Sequence, residues 1–199
     1  MQVALVDAGG ANIGSVRYAL QRLGVEASLT ADAAEIAQAD RVILPGVSTA
    51  ATVMAQLRAN ALVDVLRNLQ APLLGVCVGM QLLFEHSEED DTPCLGLLSG
   101  RVSRLPESPG IRVPHMGWNI LQATRESPLL RGIAADAHAY FVHSYAAPVT
   151  EDCIASSTHG VPFAAVVQRG RIAGAQFHPE RSASVGAQLI RNFIETGCA

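Results

Sequence analysis

The chain has 199 residues, of which 49% are hydrophobic and 16% charged, a balance typical of a well-buried globular protein and unlike that of a disordered one. Its net charge is −4, and it has no dense cluster of lysine or arginine, which argues against nucleic acid or an anionic membrane as a partner. A chain of this length most often forms one domain, so we expect residues 1–199 to be a single unit.

Membrane-spanning and secretory segments are not expected. The longest stretch without a charged residue lies between Arg67 and Glu85, and it is too short and too often interrupted by polar residues and glycines to cross a bilayer. The opening residues, MQVALVD, have no basic lead-in and predict a strand instead of a signal peptide. The four cysteines show no Cys-x-x-Cys pairing, so we expect no disulfide framework, no metal site and a reducing, cytoplasmic location.

The first half alternates short β-rich runs with helical patterns. QVALVD predicts a strand, and Asn12 is a candidate cap for the helix that follows. That helix carries apolar residues at helical spacing: Ile13, Val16, Leu20 and Leu23. VEASLT, RVILP and PLLGV predict three further strands, with a short alanine-rich helix and a longer helical pattern over residues 50–69 between them. Nearly continuous apolar strands separated by helices predict a parallel sheet covered on both faces.

The second half has little helix until its end. GRVSRL, HAYFVHSY, FAAVVQRG and RIAGAQFHP predict strands, which we expect to extend the sheet in antiparallel fashion. The acidic run SEEDDTP, residues 87–93, is expected to form a loop. A last helix is expected to begin near Ser182, with one apolar face formed by Val185, Leu189, Phe193 and Ile194.

Cys77 stands between two glycines in the run GVCVGMQ, at the end of an apolar strand and the start of a helical pattern. Gly75 and Gly79 lie two residues to either side, which is the spacing of a nucleophile elbow, where a tight strand-to-helix turn exposes the nucleophile. The N-terminus of the following helix would favour the reactive thiolate. The alternative is a structural cysteine buried at a glycine-rich strand end.

A nucleophilic cysteine needs a base, and the base needs a partner that orients it. Among the six histidines, His86 and His159 lie in polar, turn-like surroundings and are expected to be solvated. His178 ends an apolar strand in GAQFHPERS, with Glu180 two residues further on. Positions i and i+2 of an extended chain face the same side, so both side chains can reach one site. A solvated acid at an ordinary strand end is the alternative.

Four segments together resemble the class I, triad-type glutamine amidotransferases: GVCVGMQLLF, PHMGWN, YFVHSY and GAQFHPERS. PHMGWN and YFVHSY are similar to the subfamily that forms the glutaminase subunit of imidazole glycerol phosphate synthase. The resemblance runs from Val3 to Phe193. It implies an α/β fold with a flavodoxin-like open sheet, mostly parallel in the first half, with added antiparallel strands in the second half.

The resemblance also implies roles for individual residues. Cys77, His178 and Glu180 match the family's catalytic triad. The oxyanion hole falls on the backbone amide of Val78 and on the PGVS loop, at Val47 beside Gly46. Gln81, Ser144 and Tyr145 match positions that hold the amino-acid end of glutamine; without the resemblance, Gln81 is an ordinary polar helix residue and Tyr145 an edge-strand aromatic. No cofactor is implied.

Two residues depart from the family pattern. Ser48 stands where the family has a glycine, and a serine restricts positive φ in a loop that is thought to rearrange in relatives. Val78 replaces a common leucine, with little expected consequence because the backbone amide does the work. The turn DAGGAN at residues 7–12 lacks the full dinucleotide fingerprint, so a plain tight turn is the better interpretation.

The implied function is hydrolysis of glutamine to glutamate, with delivery of ammonia to a (β/α)₈-barrel cyclase subunit in histidine biosynthesis. Such a subunit is expected to be nearly inactive alone. We place the docking surface at PHMGWN, comprising His115, Met116, Gly117, Trp118 and Asn119, together with Arg181; without the resemblance, that segment is a loop with a partly buried Trp118. The alternatives are a glutaminase of another pathway, such as pyridoxal phosphate or anthranilate synthesis, and a silent regulatory binding protein, which Ser48 alone favours.

Overall fold

A computed structural model describes residues 1–9 and 13–198. Its α-helices are α1 (Ile13–Arg22), α2 (Ala33–Gln38), α3 (Ala50–Ala59), α4 (Val63–Arg67), α5 (Val78–Gln81) and α6 (Ala183–Thr196). Its strands are β1 (Val3–Val6), β2 (Ala27–Thr30), β3 (Arg41–Leu44), β4 (Leu73–Val76), β5 (His86–Ser87), β6 (Thr92–Pro93), β7 (Arg101–Arg104), β8 (His115–Ile120), β9 (Gln122–Ala123), β10 (His138–His143), β11 (Tyr145–Ala146), β12 (Cys153–His159), β13 (Val161–Arg169) and β14 (Ile172–Ala175). Within the described ranges, no helix combines the length and the hydropathy needed to cross a membrane.

The main sheet has eight strands in the order β2-β1-β3-β4-β14-β13-β12-β9. The first five are parallel to one another, and β13, β12 and β9 continue the sheet in antiparallel fashion. Every residue of β1, β4 and β14 is buried. Because successive side chains of a strand point to opposite faces, these three strands are covered on both sides, as the continuous apolar runs of β1 and β4 predict. β14, expected to extend the sheet in antiparallel fashion, is antiparallel to β13 but parallel to β4.

The helices of the first half follow the predicted pattern, with one break. α1 buries Ile13, Val16 and Leu20, while its candidate cap Asn12 lies outside the described residues. The single helical pattern expected over residues 50–69 is wrong, because α3 ends at Ala59 and α4 begins at Val63. Ala61 adopts a left-handed φ of 55°, which a continuing helix does not allow.

The second half is only partly an extension of the sheet, which corrects the expectation. β8 and β10 pair with each other, and β11, β7, β5 and β6 form a small sheet of four strands. The acidic run, expected as a loop, forms β5 and β6 around a 3₁₀ turn, Glu89–Asp91. PHMGWN is not a loop either, since residues 115–120 are a strand. These pairings join segments far apart in the chain, so no local pattern specifies them.

The closing helix begins one residue after Ser182 and buries Leu189, Phe193 and Ile194, with Val185 partly buried. The feature that matters most for the site is the adjacency of β4 and β14. Val76 pairs with Ala175, and the amide of Cys77 donates to the Ala175 carbonyl over 2.8 Å. Both strands end at the same edge of the sheet, so the segments that follow them, 77–81 and 176–181, lie side by side.

Candidate active site

Cys77 occupies a sharp elbow between β4 and α5. Its φ of 55° and ψ of −113° lie outside the regions that residues with a side chain normally adopt, which costs on the order of 1–3 kcal/mol. Its carbonyl accepts hydrogen bonds from the amides of Met80 and Gln81, which begin the helical turn. The thiol is buried, only 4% exposed, and it contacts the cavity described below. The helix that follows Cys77, Val78–Gln81, is a single turn.

The glycines around Cys77 allow close backbone packing more than they allow unusual turns. A Cβ at Gly75 would lie 2.5 Å from the Gly79 carbonyl oxygen, and a Cβ at Gly79 would lie 1.9 Å from the Leu44 carbonyl oxygen. A Cβ at Gly46 would lie 2.6 Å from the Gly79 amide nitrogen. The loop after β3 therefore rests directly against the first turn of α5, and Val47 and Val78 line the same cavity.

His178 and Glu180 form the second part of the site. The Nδ1 atom of His178 lies 2.9 Å from Oε1 of Glu180, and both side chains are almost completely buried. The expected extended backbone is wrong here, because residues 179–181 form a 3₁₀ turn. Pro179, with its fixed φ, suits the first position of that turn, and the turn still brings Glu180 back to the imidazole.

His178 carries a raised pKa. Burial is the largest single influence and lowers the pKa, but a hydrogen bond with Cys77, a hydrogen bond with Glu180 and the negative charges of both groups together outweigh it. The net effect raises the pKa of His178 to about 10. The imidazole is therefore held between the Cys77 sulfur and the Glu180 carboxylate, and it carries a proton at neutral pH.

A cavity of about 480 Å³ opens above the thiol. Eight of the residues given a site role from the sequence line it: Val47, Cys77, Val78, Gln81, Ser144, Tyr145, His178 and Arg181. Glu180 lies behind His178. Ser48 also lines the cavity, and its backbone is outside the left-handed region, so the serine causes no strain in this conformation.

Gln81 is fixed by two hydrogen bonds from its amide group. Its Nε2 donates to the Tyr145 carbonyl over 2.8 Å and to Oε1 of Gln176 over 3.1 Å. Gln176 is completely buried, and its own Nε2 lies 3.9 Å from the Cys77 sulfur. Both amide hydrogens of Gln81 are therefore used within the protein, which leaves its Oε1 as the group that can accept from a ligand.

Three residues that line the cavity were given no role from the sequence: Glu89, Val142 and His143. Glu89, in the acidic run, lines the cavity, and its Oε2 accepts from the Ala50 amide over 2.7 Å. Burial, the largest influence, raises the pKa of Glu89. His143 also lines the cavity, from the end of β10. Glu89 resembles its solvated neighbours, and Val142 and His143 belong to YFVHSY, a segment that resembles the family without pointing to a role for either residue.

The candidate docking residues divide between two faces of β8. Met116 and Trp118 are 63% and 53% exposed, so the partly buried Trp118 of the alternative interpretation is wrong. Ile120, also exposed, completes an apolar stripe, and Trp118 packs edge-on against Tyr140. Gly117 and Asn119 are half-buried. His115 is buried and points inward, so in this structure it cannot contact a partner directly. Arg181 borders the cavity.

The remaining histidines and cysteines lie outside the cluster of Cys77, His178 and Glu180. The expectation that His86 and His159 are solvated is wrong, because both are half-buried. His86 pairs with Asp91, and His159 stacks on His115 with 4.2 Å between ring centroids.

All four cysteines are free and buried. In the part of the chain that the structure describes, no three His, Cys, Asp or Glu side chains are grouped so as to hold a metal ion.

Sequence comparison identifies similar proteins over the whole chain. The model of the family "Glutamine amidotransferase class-I" matches residues 4–196. The imidazole glycerol phosphate synthase subunit HisH of Xylella fastidiosa is 61% identical over 198 residues, covering 100% of this chain and 99% of that protein. The same-named subunit of Xanthomonas oryzae pv. oryzae is 63% identical over 193 residues, covering 97% and 96%.

Structure comparison points to the same fold. The crystal structure of a protein described as a glutamine amidotransferase superposes with a TM-score of 0.76. The match covers 98% of this chain and 98% of that protein, at 22% sequence identity. At that level of identity the likeness concerns the fold, with its parallel core and added antiparallel strands.

Proposed function

The chain belongs to the class I glutamine amidotransferases, and on that basis we propose that it is the glutaminase subunit of an imidazole glycerol phosphate synthase. It hydrolyses glutamine to glutamate and passes ammonia to a separate cyclase subunit. The observation that carries the proposal is the alignment of a thiol, an imidazole and a carboxylate beneath one cavity, in a chain that matches its relatives from end to end. We assign all of residues 1–199 to one glutaminase domain and place it in the cytoplasm, where histidine biosynthesis occurs.

The reaction begins at Cys77. Its thiolate attacks the carboxamide carbon of glutamine, a C–S bond forms, and the carbonyl oxygen becomes an oxyanion. Preorganised amide donors stabilise that oxyanion. We assign this role to the amide of Val78, which begins α5 and has no partner within its own helix, and to that of Val47 in the loop that Gly46 packs against α5.

His178 then moves the protons. As an imidazolium it protonates the departing nitrogen, so ammonia leaves and a glutamyl thioester remains on Cys77. The neutral imidazole next takes a proton from water, the resulting hydroxide attacks the thioester carbonyl, and glutamate departs as the C–S bond breaks. The proton is again on His178 and the thiolate is regenerated. Glu180 orients the ring and stabilises its charged form throughout.

The polar residues of the cavity suit the amino-acid end of glutamine. Oε1 of Gln81 and the carboxylate of Glu89 are acceptors, which match the three donors of an α-ammonium group. Ser144 and Tyr145 border the same space and complete the substrate site. Glu89 is held by the first amide of α3, so its position is set by the helix and not by a mobile side chain alone.

The partner is a (β/α)₈-barrel cyclase, docked on the exposed stripe of β8 and on Arg181. An apolar stripe that includes a tryptophan is typical of an interface anchor. The stripe lies close to the site, since the Tyr140 carbonyl on the paired strand accepts the His178 amide over 2.9 Å. Ammonia released into bulk water would be protonated, so hydrolysis is useful only when the partner is bound.

The experiment measures glutamate release by the purified chain, alone and with a barrel cyclase and its nucleotide ligand. We expect strong stimulation by the partner, and no release from Cys77→Ala under either condition. Cys94→Ala, which removes a different buried thiol, is the matched control. Release that the partner does not change would contradict the pathway and leave the glutaminase. No release from the folded protein in the complex would contradict the glutaminase and favour a silent binding protein.

A further inference from the structure

Two buried histidines outside the triad face each other across the β8–β10 pair. His115 and His143 are paired in the strand register, and Nδ1 of His115 lies 3.0 Å from Nε2 of His143. Both rings are enclosed by aromatic side chains: His115 stacks on Phe141 at 5.0 Å, and His143 meets the edge of Phe163 at 5.0 Å. Neither ring has a role in the chemistry proposed above, although His143 borders the cavity.

The hydrogen bonds define where each ring carries its proton. Nδ1 of His143 lies 2.8 Å from the Tyr145 carbonyl, which can only accept, so this nitrogen holds the hydrogen. Burial is the main influence that lowers the pKa of His143 to about 3 and that of His115 to about 4, so both rings are neutral. Nε2 of His143 is therefore an acceptor, and Nδ1–H of His115 donates to it.

Further hydrogen bonds extend from both ends of the histidine pair. Nε2 of His115 accepts from the side-chain amide of Asn119 over 3.2 Å. At the other end, the Tyr145 carbonyl accepts from His143 and from Gln81, each at 2.8 Å. Gln81 in turn donates to Gln176, whose amide faces the Cys77 sulfur. A continuous set of hydrogen bonds thus connects β8 with the cavity, and the donors from both sides converge on the Tyr145 carbonyl.

We propose that His115 and His143 are positioning residues, whose fixed Nδ1–H tautomers hold the Tyr145 carbonyl and, through it, the Gln81 side chain in the geometry that binds glutamine. The proposal rests on the proposed function, because Gln81 is taken to bind the substrate. The Tyr145 carbonyl needs both donors to stay in place; without the histidine donor, Gln81 loses the fixed acceptor that aims its Oε1 into the cavity.

A matched pair of variants separates this role from simple core packing. His115→Asn places an amide where Nδ1 stands, so it can still donate to His143. His115→Gln places its amide where Nε2 stands, so it keeps the contact toward Asn119 and loses the donor. Both replace the ring by a shorter amide and both lose the stacking on Phe141, so a role in packing alone predicts similar effects for the two.

The readout is alkylation of Cys77 by a glutamine-analogue electrophile, with and without the cyclase subunit, compared with alkylation by iodoacetamide. The concentration for half-saturation reports binding, and the maximal rate reports thiol reactivity. For His115→Gln we expect about five- to tenfold weaker half-saturation, with an unchanged maximal rate and an unchanged iodoacetamide rate. His115→Asn is expected to stay within about twofold of the unchanged protein. Equal half-saturation for the two variants would overturn the proposal.

A second measurement needs no variant to fold. In ¹⁵N-histidine spectra of the unchanged chain, His115 and His143 are expected to be neutral with the proton on Nδ1, the less common tautomer of free histidine. Signals from the Nε2–H tautomer for either ring would overturn the proposal. Failure of the proposed function has a different signature, since the unchanged protein in its complex would then release no glutamate.

Discussion

Two buried histidine sites lie close together in this molecule and differ in charge. His178 is protonated at neutral pH, with a pKa raised to about 10, whereas the pKa values of His115 and His143 fall to about 4 and 3. All three rings are less than a tenth exposed. Burial acts on all of them in the same direction, so burial does not account for the difference.

The difference comes from the neighbours. His178 has a carboxylate at 2.9 Å on one nitrogen and a hydrogen bond with the thiol besides, while the hydrogen-bond partners of His115 and His143 are other rings, an amide and a carbonyl. Anionic partners favour the charged ring, and neutral partners leave the desolvation penalty uncompensated. One region can therefore move protons, whereas the other holds a fixed pattern of hydrogen bonds.

The largest effect is expected when the proposed nucleophile, Cys77, is removed. Cys77→Ala should lower glutamate release by at least about a thousandfold, because no covalent intermediate can form. It also removes one of the two groups that raise the pKa of His178, so the pKa of that ring should fall. Steady-state hydrolysis in the complex measures the first effect, with Cys94→Ala as the control that keeps the elbow intact. Substantial release by Cys77→Ala would show that another group attacks glutamine.

The second change makes the charged site resemble the neutral one. Glu180→Gln keeps the size of the side chain and removes its charge, so burial should pull the pKa of His178 down toward the values of the other two rings. We expect glutamate release to fall by about 10²- to 10⁴-fold, as for other triads that lose the orienting carboxylate. A pH–rate profile and a histidine titration measure the two effects. Unchanged activity would mean that Glu180 does not act through His178.

Acid should lower the stability of the fold through the two neutral histidines, His115 and His143. Each of His115 and His143 titrates near 6.5 in the unfolded chain and near 4 or 3 in the fold. Between the folded and the unfolded pKa values, the unfolded chain binds more protons than the folded one. The free energy of unfolding therefore has its full value above about pH 6.5 and decreases as the pH falls toward 4. The loss should be roughly 3 kcal/mol for each ring between pH 6.5 and 4.

Urea unfolding across that pH range measures this loss. A variant with both His115→Phe and His143→Phe should show a correspondingly smaller dependence of stability on pH. His138→Phe, which removes an exposed histidine of the same strand β10, is the matched control and should keep the full dependence. An equal dependence in the two variants would contradict the lowered pKa values.

A smaller effect is expected for Glu89, the carboxylate that we propose holds the α-ammonium group of glutamine. Glu89→Gln should raise the KM for glutamine by about tenfold to thirtyfold with little change in kcat, because a charged hydrogen bond to the α-ammonium group is weakened. Glu88→Gln, a change in the exposed neighbour that lies outside the cavity lining, is the control. An effect on kcat alone would place Glu89 in the chemistry and not in substrate binding.

The sequence predicts the fold well where order is local. Apolar runs such as VALV and LLGV identify buried parallel strands, and amphipathic spacing identifies α1 and α6. The sequence does not predict the fold where the structure depends on one unusual backbone conformation or on pairing with a distant segment. The break at Ala61 depends on one left-handed residue, and the separate β8–β10 and β7 sheets depend on pairings between remote segments. Such pairings have no signature in a window of a few residues.

For the site too, the sequence indicates the residues that belong to a local pattern and misses those brought in by distant contacts. The spacing of Gly75, Cys77 and Gly79 and the His-Pro-Glu sequence indicate two halves of the triad region, and the adjacency of β4 and β14 brings those halves together. Glu89 and Gln176 are recognisable only in three dimensions, because their contacts with Ala50 and Gln81 cross 39 and 95 residues. His115 is a further case, since its segment indicates a docking surface while its ring points inward.

The most direct test of the central claim is a pH titration of the histidines by ¹⁵N NMR on the full chain, from about pH 5 to about pH 9. The structure leads us to expect that His178 stays charged at neutral pH while His115 and His143 stay neutral throughout, since the relevant pKa values are about 10, 4 and 3. A neutral His178 at pH 7 would contradict the claim that Cys77 and Glu180 together override burial. A charged His115 or His143 would contradict the claim that the neighbouring histidine pair is a neutral, fixed network.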